Sequence, residues 1–236
     1  MKGLVRRLKG VESPAVREVL LATRGFLHWL VRGHAVRHRV LRGYLDETAE
    51  PKLHLGSGSI RLEGWLNADL IAGDVHLNLK RRLPVPDGTF AYVFGEHVIE
   101  HLSEAAGQRL LREVRRVLRP GGVLRLTTPD LRKLIDIYED RSPVVDRDAF
   151  GAYLSEITDR PIGRPAQILN AELRLWGHRH IYDQDDLTAR LREAGFTSVE
   201  RCDAGISAHP QLHGLERHGS GPWVNEAEAM SLEATY

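Results

Sequence analysis

The stretch that decides the fold is "KLHLGSGSIRLEGWLNAD", Lys52 to Asp69: a short apolar run, two glycines one residue apart, a second apolar run and a carboxylate. A strand that stops at Gly56-Ser57-Gly58 predicts a tight turn with bare backbone N–H groups, where small residues let a ligand reach the main chain. A Gly-x-Gly alone also marks plain turns, so the rest of the chain has to carry the assignment.

On the C-terminal side of this stretch short apolar runs alternate with helical ones. Leu53 to Gly56, Trp65 to Asp69, Val75 to Leu79 and Phe90 to Gly95 read as four strands. Ser103 to Leu118 reads as a helix with Ser103 as N-cap, Leu110, Leu111, Val114, Val117 and Leu118 on one face, and "RPGG" as its stop. Val123 to Thr127 is a fifth strand, Asp183 to Ala194 a helix ended by Gly195, Thr197 to Arg201 a sixth strand and "MSLEATY" a seventh. This alternation predicts an α/β fold with a mostly parallel sheet covered on both faces, its ligands at the carboxyl ends of the strands. Only 11 positions separate Gly58 from Asp69, too few for the usual crossover helix. The segment before the sheet is expected to fill the vacated space.

That segment, residues 1–50, reads as a basic helical arm. Met1 to Arg42 carries ten Lys or Arg against Glu12 and Glu18, and apolar residues recur near helical spacing from Pro14 onward. Packing on the main domain with a solvated arginine face is the expected role, and peripheral membrane contact through the arm is the alternative. Residues 51–236 would form the main domain, with inserts 130–182 and 206–229 reaching over the carboxyl edge of the sheet. The 236 residues, 42% of them hydrophobic, suffice for one such domain with its own core. The formal charge of +1 argues against nucleic acid as a partner of the whole chain. Cys202 is the lone cysteine, and the N-terminus shows neither an apolar signal core nor a cleavage site, so a cytoplasmic location is expected. Nothing in the sequence fixes an oligomeric state.

Four motifs in order, "LHLGSGSIRLEGWLNAD", "LPVPDGTFAYVFGEHVIEHL", "LREVRRVLRPGGVLRLTTPD" and "LTARLREAGF", resemble those of class I S-adenosylmethionine-dependent methyltransferases. The compact "GWLNAD" resembles small bacterial methyltransferases of glycan and polysaccharide biosynthesis. The resemblance implies a Rossmann-like, seven-stranded sheet with an antiparallel last strand, and S-adenosylmethionine as cofactor. It places Gly56, Ser57 and Gly58 under the methionine part, Asp69 on the ribose hydroxyls, Asn78 and Leu79 at the adenine, and Glu96 and His97 beside the methionine or its methyl. Two positions depart from the family pattern: His54 stands where an acidic residue is usual, and Ile60 replaces the third glycine.

"HVIEH", His97 to His101, has two further readings. With Glu172 as third ligand it matches an inverted zinc-protease signature, but its position directly after a strand speaks against that. It also resembles the E-x-x-E-H of metal-dependent O-methyltransferases, which implies His97, Glu100 and His101 as ligands of magnesium or another divalent ion. Two histidines among the donors favour a transition metal over magnesium. Methyl transfer to oxygen needs chiefly positioning and a proton acceptor near neutrality, for which His178, His180 and His101 are the candidates. His209, His213 and His218 read as solvated loop histidines. The expected acceptor is a sugar or oligosaccharide hydroxyl. A small phenolic or quinone-like acceptor, and a non-catalytic module binding membrane or polyanion, are the alternatives.

Overall fold

A computed structural model describes residues 14–32, 34–219 and 222–236. Two helices come first, α1 (Pro14–Arg32) and α2 (His34–Glu47), followed by β1 (Lys52–Leu55), β2 (Leu66–Asp69), β3 (Val75–His76) and β4 (Phe90–Glu96). After a 3₁₀ turn at Ile99–His101 come α3 (Glu104–Val117), β5 (Leu118–Pro129), α4 (Leu131–Tyr138), α5 (Arg147–Thr158) and α6 (Pro165–Arg174). The chain closes with α7 (Gln184–Glu193), β6 (Ser198–Cys202), α8 (Pro222–Glu228) and β7 (Ala229–Thr235).

The strands form one seven-stranded sheet in the order β3-β2-β1-β4-β5-β7-β6. β1 is parallel to both β2 and β4, and β4 is parallel to β5, whereas β7 runs antiparallel between β5 and β6. Leu53, Leu55, Val93 and Phe94 are fully buried because their strands are covered on both faces. The chain reverses strand order between β1 and β4, and so places its ligand crevice at the carboxyl ends of those two strands.

Three expectations need correction. β3 stops at His76 rather than Leu79, since it pairs only with the short β2 through Ala68↔Val75 and Asp69↔His76. β5 begins at Leu118, directly where α3 ends, and "RPGG" lies within its span, with an irregularity opposite Phe90 and Tyr92. Ser103 holds the N-cap position of α3 without its side chain making a cap hydrogen bond.

The β1–β2 connection contains no helix. Leu41 of α2 enters the main core with Val40, Tyr44 and Leu45 packed beside it. The Tyr44 hydroxyl lies 3.0 Å from the carbonyls of both Lys52 and Gly64 and accepts the Lys52 N–H at 2.9 Å. One side chain thus ties α2 to the start of β1 and to the end of the connection that leads into β2. α1 and α2 both pack against β3.

The 130–182 insert forms a second apolar cluster, in which Ile137, Phe150, Leu154 and Ile168 meet Val224 of α8. Beneath the later insert, Leu212 and Leu215 pack on Trp65, Phe94 and Val123. The first insert thus has a core of its own, completed by α8, whereas Leu212 and Leu215 of the second pack on the sheet. Among the described residues no helix is long and apolar enough to cross a membrane.

Candidate active site

β1 ends at Leu55 and the chain turns at once. Gly56 has φ 63°, and a Cβ there would sit 2.2 Å from Val98 Cγ2, so both backbone angle and space demand glycine. Gly58, at φ 53°, has no atom within 4 Å of a would-be Cβ. The loop therefore opens onto free space, and the buried Ser57 hydroxyl beside it has no hydrogen-bond partner. The amides are not bare as the sequence suggested. The Ser57 N–H donates to the Ala68 carbonyl at 3.0 Å and the Gly58 N–H to Asp69 Oδ2 at 3.1 Å, because the short connection brings the end of β2 against the turn.

Asp69 does end β2, and its other oxygen accepts the N–H groups of Ile71 and Ala72 at 2.7 and 3.1 Å. A carboxylate offers about four acceptor positions, so ribose hydroxyls would compete with the Gly58 amide at Oδ2. Asn78 and Leu79 lie just beyond β3, where Asn78 Oδ1 accepts the Lys80 N–H at 3.0 Å and Leu79 leans on the core. His54 is turned inward, 3.0 Å from Asn67 Oδ1, and burial lowers its pKa. It cannot substitute for the family's acidic residue at the methionine end.

The carboxyl end of β4 gathers the rest. His97 adopts φ 49°, in the left-handed region, and its ring stacks on that of His218 with centroids 3.6 Å apart. Its Nδ1 lies 3.3 Å from Glu100 Oε1. Burial works against charge on Glu100, yet the neighbouring His97, and then His101 and His178, outweigh it and hold the carboxyl at about 2. The same carboxylates, Glu100 first, raise the His97 pKa against its burial. His101 and His178 face each other with ring centroids 5.0 Å apart. His178 is lowered by burial, which Glu100 only partly offsets. His180 is absent from this group: its Nε2 lies 2.9 Å from Asp186 Oδ2, at the N-terminus of α7.

Donor atoms of Glu100, His101 and His178 all lie within 4.8 Å of one another, and those of His97, His218 and Glu228 form a second such group. The set named from sequence, His97, Glu100 and His101, is thus split between two neighbouring clusters. Glu172 and Glu228, 2% and 3% exposed, complete the assembly. Burial, then Glu228 and Glu100, push Glu172 well above the usual carboxylate range, and burial lifts Glu228 to about 7 against the pull of His97.

Glu96 serves a different purpose from the one expected at the methionine. Its carboxylate accepts the backbone N–H groups of Arg217 and His218 and the Asn225 side-chain amide, at 2.8 to 3.1 Å. It latches the 206–229 insert to the sheet edge and so brings His218 onto His97. A deeper anchor is Arg125, fully buried in the middle of β5. Its guanidinium meets Glu216 at 2.6 Å and Glu233 at 2.7 Å, and donates to the carbonyls of Ile206 and Asp203. Sequence reading missed Glu228, Asn225 and Arg125. Only Arg125, a charge inside an apolar strand run, left a visible sign.

Strand order, glycine turn and switch-point crevice define a Rossmann-like α/β fold. Residues 53–126 match the family model of a methyltransferase domain. A probable S-adenosylmethionine-dependent methyltransferase of Mycobacterium tuberculosis (strain CDC 1551 / Oshkosh) is 32% identical over 153 residues, 64% of this chain and 42% of that protein. An uncharacterised 37.1 kDa protein in transposon TN4556 of Streptomyces fradiae is 34% identical over 100 residues, 42% of this chain and 25% of that protein. The chain spans less than half the length of these curated relatives. Solved methyltransferases of Mesorhizobium loti and Archaeoglobus fulgidus are each 16% identical with TM-scores of 0.46, covering 83% and 89% of this chain and 96% and 98% of theirs. The fold assignment rests on the strand order itself.

The residues present fit the cofactor that this domain implies. Gly58 borders free space, Ser57 supplies an uncommitted hydroxyl, and Asp69 supplies an acceptor at the end of β2.

Proposed function

We propose that the protein transfers the methyl group of S-adenosylmethionine to a hydroxyl of a sugar or oligosaccharide, assisted by a divalent cation. When bound, the cofactor supplies a methyl on a sulfonium that leaves as a neutral thioether, so the acceptor hydroxyl must give up a proton. The observation that carries the reading is the group of part-exposed imidazoles over buried carboxylates at the carboxyl end of β4, on the same sheet edge as the glycine loop. A polyhydroxylated acceptor finds hydrogen-bond partners there, whereas a quinone-like acceptor calls for an apolar chamber.

His178, whose lowered pKa keeps the imidazole neutral at physiological pH, offers one lone pair here, to a cation or, with no ion bound, to the acceptor's proton. His101 faces it. Trp176, 5.7 Å from His178 between ring centroids, has φ 58°. For a bulky residue that conformation costs about 1–3 kcal/mol. Strain held beside a polar cluster supports a positioning role, with the indole face against a sugar ring. The test is a screen of mono- and oligosaccharides, phenols and quinols with methyl-labelled S-adenosylmethionine. Label on sugar is expected, and label on phenols alone would overturn the assignment.

A second observation favours peripheral attachment to an anionic membrane. Val19, Phe26 and Leu30 line one face of α1 at 63%, 56% and 56% exposure, flanked by Leu27 at 54% and Trp29 at 44%. Phe26 and Trp29 stack at 5.7 Å. An exposed apolar stripe with aromatic residues, in a segment rich in arginine, has the composition of an interfacial helix. Flotation with phosphatidylglycerol vesicles tests it: Phe26→Ser with Leu30→Ser should abolish flotation, and a wild-type chain that never floats refutes it.

A further inference from the structure

The groups at the end of β4 are built with more care than proton transfer alone requires. The 3₁₀ turn Ile99–His101 is held by the strap 178–180, where the Arg179 and His180 amides both donate to the Glu100 carbonyl, at 2.7 and 3.2 Å. His178 Nδ1 lies 2.5 Å from the Glu172 carbonyl. A carbonyl only accepts, so Nδ1 carries the proton and Nε2 keeps its lone pair. Tautomer selection by a backbone carbonyl is the support that metal-binding histidines receive. Glu100 Oε2 accepts the Thr128 hydroxyl at 2.9 Å, while Oε1 is buried with only His97 Nδ1, at 3.3 Å, beside it. Glu172 Oε1 is buried and without a hydrogen-bond partner. A buried carboxylate as sparsely partnered as Glu100 is costly unless a cation joins it.

From this geometry we infer that Glu100, His101 and His178 hold a divalent transition-metal ion of the zinc or manganese type. Two imidazoles and one carboxylate suit such an ion, and magnesium, which demands oxygen, is disfavoured. The other group is the poorer seat. Its His97 and His218 rings lie face to face at 17°, so their in-plane lone pairs run side by side rather than converging. Three protein ligands also leave coordination positions free for oxygen donors. That these orient the acceptor's hydroxyls rests on the methyl-transfer reading, but the ion's seat does not.

The test uses the full chain, stripped with a chelator and titrated with Co2+, whose visible absorption reports nitrogen and oxygen ligation. One equivalent should bind and be displaced by Zn2+. Glu100→Gln, His101→Gln and His178→Gln should each weaken binding about 100-fold or more, and Thr128→Val about 10-fold, since outer-shell losses alone cost 10- to 100-fold. His97→Gln, which removes only the imidazole beside Glu100 Oε1, should weaken binding no more than Thr128→Val. Circular dichroism checks folding, and if one ligand variant fails to fold the remaining two decide. Absence of cobalt bands in the wild type overturns the inference, as does loss of binding in His97→Gln but not in the three ligand variants. Calorimetry with S-adenosylmethionine runs in parallel. Cofactor uptake without cobalt binding sinks the metal seat alone, and cobalt binding without cofactor uptake sinks the transfer reading alone.

Discussion

Replacing Arg125 with Met should be among the most damaging single changes in the sheet. The guanidinium is wholly buried, and its partners Glu216 and Glu233 have side chains only 5% and 9% exposed. Removing it leaves two carboxylates buried without their cation and frees the Ile206 and Asp203 carbonyls. Breaking a buried pair from one side costs about 3–5 kcal/mol. With a urea slope of about 3 kcal/mol/M, the midpoint should fall by about 1–1.7 M. Because Arg125 ties down the chain between Asp203 and Glu216, amide exchange there should accelerate before global unfolding. The assay is urea denaturation followed by fluorescence and circular dichroism, together with exchange mass spectrometry. A loss below about 1 kcal/mol, with protection at 203–218 unchanged, would show that the network holds neither the sheet nor the insert.

Asp69→Ala should weaken S-adenosylmethionine binding by about 2 kcal/mol or more, the scale of a lost charge-assisted hydrogen bond, and calorimetry would read it. The same change also frees the Gly58, Ile71 and Ala72 amides, so its melting temperature should fall as well. Gly56→Ala should abolish cofactor binding, since a Cβ there meets Val98 at 2.2 Å; retained affinity would mean that the loop does not cradle the ligand. His54 has a folded pKa below its unfolded 6.5, so the unfolded chain binds the extra proton. The stability it contributes is full above that value and is lost as pH falls through it. Thermal melts of His54→Gln should accordingly show a shallower acid-side decline than wild type.

The strands themselves were legible because alternating apolar runs and turn residues report local geometry, whereas their order in the sheet was not. Leu53 and Leu55 in β1, and the stripe of Leu110, Leu111, Val114 and Val117 in α3, are buried as their spacing implied. What escaped were contacts between distant segments. His218 lies 121 positions from His97 yet stacks on it, because Glu96 captures the Arg217 and His218 amides. Contact of that kind depends on where a loop lands, and no local pattern encodes it. The ligand set named from "HVIEH" failed to assemble for a related reason. Spacing of i, i+3, i+4 puts three side chains on one face of a helix, but the segment begins with His97 at φ 49° and continues as a single 3₁₀ turn. His97 therefore turns away from His101, and His178 comes from another element.

Gly25 rests against Leu70 and Ile71, the residues that follow Asp69. The Ile71 amide is also one of the donors that fix the Asp69 carboxylate. The outward stripe of α1 and the Asp69 end of β2 are therefore the two sides of one wall, about 10 Å thick, the diameter of a helix. A surface that takes up Phe26 and Leu30 would lie one helix away from the Asp69 carboxylate.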